Sequence, residues 1–167
     1  MRATAVAIMK VISRQLLGQV TEQARASARL RFNHNLHPAD ESRCHRLLNA
    51  MEPGSYIRPH CHLDPEKDEG FILMEGRMGI ITFSPAGEVD RLVLLSRQDG
   101  DLAVDIPHGI YHTAVSLCPG TVFYETKAGP YLPIAEQEKA PWAPEEGDPA
   151  AMPYLEGLRR LFDGQAP

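Results

Sequence analysis

Between residues 29 and 127, short runs rich in Val, Ile, Leu, Phe and Tyr recur about every ten residues, separated by Gly, Pro and Asp. In an extended chain successive side chains point to opposite faces, so such runs are strands with one face turned to a core. Their even spacing leaves room for hairpin turns but not for crossover helices, which predicts an antiparallel barrel or sandwich. Strands are expected near 29–36, 44–51, 54–62, 69–75, 77–83, 88–95, 102–106, 110–117 and 121–127, with a turn at "SPAG", residues 84–87. Before them, Ser13 is placed to cap a helix over about 13–27, in which Leu16, Leu17, Val20 and Ala24 fall at helical spacing. After them, residues 129–150 are too rich in Pro, Glu and Ala for a strand and read as an extended strap. A last helix over about 151–162 carries Leu155, Leu158, Leu161 and Phe162 on one face. The chain thus divides into an N-terminal helical segment (1–28), a barrel (29–128), and a strap and helix (129–167) packed on the same domain.

The 167 residues are enough for one hydrophobic core without staples. With 23% charged residues and a net charge of −5, the chain has no basic footprint for nucleic acid or an anionic membrane, so neither is an expected partner. The opening "MRATAVAIMKVISRQLL" is interrupted by Lys10 and Arg14 and lacks the apolar length of a signal or spanning segment, which points to the cytoplasm. Cys44, Cys61 and Cys118, odd in number and unrelated in spacing, agree with a reducing compartment.

The chemistry gathers in "GSYIRPHCH", residues 54–62. On a strand, Tyr56, Arg58, His60 and His62 share one face, and Cys61 points away as a small buried hydrophobe. Two histidines two residues apart can bring their imidazoles to one ion. Glu69 opens the next strand, and "PHGIYH", residues 107–112, delivers His112 after a turn. His34, His45 and His108 lie off this frame and read as surface or packing residues.

Gly54-x5-His60-x-His62, then Glu69-x6-Gly76, resembles the first cupin motif, and Pro107-x-Gly109-x2-His112 resembles the second. The resemblance implies a cupin-type double-stranded β-helix, a jelly-roll barrel, with His60, His62, Glu69 and His112 as metal ligands. The loop between His62 and Glu69 is longer than the usual pattern, and Ser116 stands where an Asn often closes the second motif. Glu66 fits the usual distance from His62, while Glu69 fits the distance to Gly76. Glu69 is preferred, because insertions belong in loops and a slip within a paired strand would reverse every side chain. Over about residues 13–146 the chain is also similar to the WbuC-type cupin-fold metalloproteins, through "RLRFNHNLH", "HRLLNAMEPGSYIRPHCH", "EKDEGFILMEGRMG", "FYETKAGPY" and "APWAPEEG". That group is associated with surface-polysaccharide gene clusters.

Three imidazoles and one carboxylate would hold one divalent ion per chain, with zinc and iron leading and nickel and manganese compatible. Alternation places Arg31, Asn33, Asn35 and His37 on one face of the first strand, and Arg46, Asn49 and Tyr56 add to a polar pocket. Glu125 and Lys127 share a face of the last strand, where Glu125 could act as general base while Lys127 or Arg58 fixes a substrate's charge. Such a lining suits a small polar or anionic molecule such as a sugar acid or sugar phosphate. Three functions follow: a metal-dependent enzyme on that metabolite, a non-catalytic ligand-binding module, and, more weakly, a metal-free sugar epimerase. Trp142 is expected to pin the strap, and the open sheet edges predict a homodimer.

Overall fold

The computed structural model describes residues 9–164; the first eight residues, and with them half of the apolar N-terminal run read above, lie outside it. Helix α1 spans Arg14–Ala26, and the Ser13 side chain accepts a hydrogen bond from the Leu16 N–H, as an N-cap should. Eight strands follow: β1 Arg31–Asn35, β2 Cys44–Met51, β3 Glu69–Glu75, β4 Arg77–Phe83, β5 Val89–Ser96, β6 Ala103–Ile106, β7 Tyr111–Ser116 and β8 Thr121–Ala128. Helix α2, Ala151–Arg160, is the last helix of the described residues. All pairings between strands are antiparallel, in a five-stranded sheet β1-β2-β8-β3-β6 and a three-stranded sheet β5-β4-β7. The fold is mainly β, a cupin-type jelly-roll barrel with helices at both ends.

Three apolar layers hold it together. Between the sheets lie Met51, Phe71, Leu73, Met78, Ile80, Leu95, Ile106, Ala114 and Phe123. Outside the five-stranded sheet, Leu17, Val20 and Ala24 of α1 pack on Leu48, Ala50 and Val122. Outside the three-stranded sheet, Leu155, Leu158 and Phe162 pack on Ile81, Phe83 and Val115. Leu161 is exposed, contrary to the face expected of the last helix; it stands just past the end of α2, as its C-cap. Gly76, at the β3–β4 junction, has φ of 83°, and a Cβ there would come within 2.7 Å of the Thr121 backbone. Only glycine meets both demands.

The expected strand over 54–62 is not a regular strand. Pro59 has no N–H to give to a ladder, and the segment pairs by single bridges instead. His60 exchanges N–H···O bonds with His112 at 3.0 and 2.8 Å, while the Cys61 N–H donates to Glu138 and the Ala140 N–H to Pro59. The segment is therefore sandwiched between β7 and the strap. The strap is pinned by Trp142, whose ring lies 4.8 Å from Phe83 and 6.2 Å from Tyr111.

Candidate metal centre

His60 and His112 face each other across the bridge that joins the 54–62 segment to β7, with ring centroids 4.8 Å apart. Each ring has its Nδ1 turned back to a backbone carbonyl two residues earlier, Arg58 at 3.0 Å and Ile110 at 2.9 Å. Since a carbonyl only accepts, both Nδ1 atoms carry the proton, and Nε2 is left to face the barrel. Burial, and then the neighbouring His112, push His60 down to about 4, so its ring is neutral at neutral pH.

Glu69 enters from the opposite sheet, at the first residue of β3, and is 2% exposed. Its Oε2 lies 3.0 Å from His112 Nε2, and its Oε1 lies 3.0 Å from His62 Nε2 and 2.8 Å from Lys127 Nζ. Burial works to raise this carboxyl, but the groups gathered around it, the Lys127 ammonium among them, outweigh burial and hold it well below the usual carboxylate range. Ligand atoms of His60, Glu69 and His112 all lie within 4.8 Å of one another, slightly wider than the span of about 4.2 Å across one ion with bonds of about 2.1 Å. This His-His-Glu group could bind a metal ion.

His62 stands one step aside, its ring 5.3 Å from His60 and 6.2 Å from His112. Its Nε2 is buried, and despite its closeness to Glu69 it makes no aligned hydrogen bond among the described residues. Proximity and alignment disagree here, and alignment decides whether a hydrogen bond forms. A buried ring nitrogen beside a carboxylate without such a bond fits a cation better than a proton. Glu66 sits on the exposed loop, where its N–H meets Asp64, so it has no part in the group.

Beside these residues opens a cavity of about 420 Å3, lined from the five-stranded sheet by Arg31, Asn33, Asn35, Asn49, Glu125 and Lys127. Lys127 Nζ bridges Glu69 and Glu125, at 2.8 and 2.7 Å, and the Asn49 amide donates to the other oxygen of Glu125. Burial works to lower the Lys127 ammonium, but the two carboxylates outweigh it and hold it above the ordinary lysine range. Lys127 is thus a fixed cation.

Three expected pocket residues lie elsewhere. Tyr56 packs in the outer layer under α2 and donates its hydroxyl to the Pro144 carbonyl. Arg58 reaches out to the strap, donating to the Ala140 carbonyl and to Glu145 at 3.2 Å. Both follow from the broken strand: without a continuous ladder the alternation that put them on the histidine face does not hold, and Ile57 lines the cavity instead. Arg46 is exposed on the outer face of β2. Conversely, His45, set aside as a surface or packing residue, is buried and lines the cavity. It shares a face with Leu47 and Asn49, a signal that was present in the alternation of β2. His108 is exposed and meets Asp68 at 2.9 Å. Cys61 is 2% exposed and lies outside the ligand cluster, as expected of a bystander.

Among solved structures the chain is similar to protein BH2720 of Bacillus halodurans, at 17% identity and TM-score 0.51, covering 81% of this chain and 92% of that one. It is also similar to the conserved SPY1581 protein of unknown function from Streptococcus pyogenes, at 12% identity and TM-score 0.51, covering 76% and 93%. An RmlC-like cupin from Desulfovibrio desulfuricans aligns at 14% identity and TM-score 0.45, over 59% of this chain and 81% of that one. At these identities the likeness concerns the fold alone. No curated protein matches this chain in sequence. No helix among the described residues is long and apolar enough to cross a membrane. A family model described as a domain of unknown function (DUF6016) matches residues 12–95, half of the chain, and the protein belongs to that family.

Proposed function

We propose that this cupin is a metalloprotein in which His60, His62, Glu69 and His112 hold one divalent ion, and that it acts as a metal-dependent enzyme on a small polar or anionic metabolite in the adjoining cavity. The observation that carries the reading is the meeting, around one carboxylate, of ring nitrogens whose Nδ1 protons are committed to backbone carbonyls at His60 and His112. A ring so anchored directs the Nε2 lone pair at a metal, and the backbone partner fixes its orientation. When bound, such an ion supplies Lewis acidity toward an oxygen of the ligand. Zinc and iron suit the donor set best, and nickel and manganese are compatible with it.

The chain's own residues have separable roles in this reading. Lys127, a cation between two carboxylates, meets the ligand's negative end. Glu125, held by Asn49 and Lys127 and almost wholly buried, is positioned to accept a proton from a carbon or hydroxyl of the ligand. Arg31, Asn33 and Asn35 at the cavity wall complete a polar lining. The similarity to the WbuC-type cupins supports the same reading and a setting in surface-polysaccharide metabolism.

Elemental analysis of protein purified without added metal, repeated on His60→Ala and His112→Ala, tests the centre. The expected result is close to one ion per chain in the wild type and a loss of at least about tenfold in both variants. Equal content in all three samples would refute the ligand assignment. Turnover that vanishes in Glu125→Gln at unchanged metal content marks an enzyme, whereas saturable binding with no product marks a binding module.

A further inference from the structure

The cavity has a second polar end that the metal centre does not use. Asn35 of β1 pairs with Leu47 of β2, and the ladder continues one step further, where the Leu36 N–H donates to the Arg46 carbonyl at 2.8 Å. The next inward pair is His37 and His45, 4% and 2% exposed, with rings stacked 4.0 Å apart at an interplanar angle of 10°. Both line the cavity, together with Asn35, Asp40 and Tyr131. In β8 the partner of His45 is Lys127, and the partner of Lys127 in β3 is Glu69. One inward row therefore runs from His37 across four strands to the metal group, three spacings of about 4.8 Å or roughly 14 Å of backbone.

Hydrogen-bond accounting sets the chemistry of that far end. The Arg46 N–H donates to His37 Nδ1 at 3.2 Å. The same nitrogen lies 3.1 Å from the Arg46 carbonyl, but that carbonyl already accepts from Leu36, whereas the Arg46 N–H has only the ring to turn to. Buried N–H groups are rarely left unpaired, so Nδ1 is the acceptor and Nε2 carries the proton. That Nε2–H is buried and has no partner among the described residues. His45 Nε2 faces the Asp40 carbonyl at 3.0 Å, which leaves its Nδ1 as an acceptor. Asn35 offers both a donor and an acceptor, and Asp40 a carboxylate. An anion would meet Asp40 unfavourably here, while hydroxyl groups can satisfy donors and acceptors alike.

Resting on the reading above, we propose that His37 and Asn35 form a specificity subsite for the hydroxylated tail of a polyhydroxy acid whose carboxylate end lies at Glu69, Lys127 and the metal. The span from one end to the other selects a sugar-acid chain over a two- or three-carbon hydroxy acid.

Gluconate and glycolate are the probes, since both carry an α-hydroxy acid and differ in the tail. Each is titrated calorimetrically into the protein as purified, with metal content measured on every sample. Gluconate is expected to bind about tenfold more tightly than glycolate. Asn35→Ala is expected to cost about fivefold in gluconate affinity, and His37→Phe to remove the preference, with glycolate affinity and metal content unchanged. Asn35 is exposed, so its variant tests the subsite even if His37→Phe fails to fold; a shift of the His37 ring nitrogen signals on adding gluconate is a third readout. Equal affinities in the wild type, no binding of either acid, or a preference that survives both variants would overturn the subsite. A wild type that binds gluconate through these residues but contains no metal would overturn the metal reading alone.

Discussion

The two sheets bury different things. The face of the three-stranded sheet covered by α2 is mainly apolar, with Ile81, Phe83 and Val115 against Leu155, Leu158 and Phe162. The inner face of the five-stranded sheet buries Glu69, Glu125 and Asn49, with Lys127 partly covered among them. The first face is held by non-directional burial and tolerates repacking; the second persists only because each charge has a partner. The contrast separates where this protein keeps its stability from where it keeps its chemistry.

Glu69→Ala should break that contrast most. It removes from one place a buried carboxylate that faces Lys127, His62 and His112, and unpairing buried charges costs about 3–5 kcal/mol. Both metal content and denaturant stability are expected to fall, and a variant that keeps its stability would show that the row of charges is solvated. Leu155→Ala, on the apolar side, opens a cavity under α2 at a cost of about 3 kcal/mol. Metal content should stay at the wild-type level, and any loss of it in the still-folded protein would mean that the two layers are coupled.

The smallest effect is at the cavity rim, where Glu146 accepts from Arg29 at 2.6 Å and from Arg31 at 2.7 Å. Burial alone would raise Glu146, but the two guanidinium groups hold it at about 2. Its carboxylate is thus depressed in the folded state, so its contribution is complete above the ordinary value of 4.5 and is lost as pH falls from there toward 2. The pair is more than a third exposed, which screens it to about 1 kcal/mol or less. Glu146→Gln should flatten the acid limb of a stability-against-pH curve below 4.5, and an unchanged limb would assign acid sensitivity to other groups.

Most of the strand frame was legible because it rests on local rules. Period-two alternation, turn residues and a serine cap act within a few residues, and eight of the nine expected strands lie where the pattern put them. The segment 54–62 departs from the expected strand for a local reason as well: Pro59 interrupts the ladder, so the faces that alternation assigns to Tyr56 and Arg58 do not hold. His45 falls outside the cupin motif, and only the alternation of its neighbours on β2 assigns it to the inner face.

The order of residue types along the chain by itself determined which segments extend, where they turn, and which histidines and acids have ligand spacing, since these depend on chirality, backbone sterics and the alternation of side chains. Only the tertiary structure decided that Lys127 is clamped between two carboxylates, that Tyr56 turns to the outer layer, and that Arg58 leaves for the strap. These outcomes depend on which strands become neighbours and in what register, and that follows from the packing of the whole barrel, to which no short stretch of sequence has access.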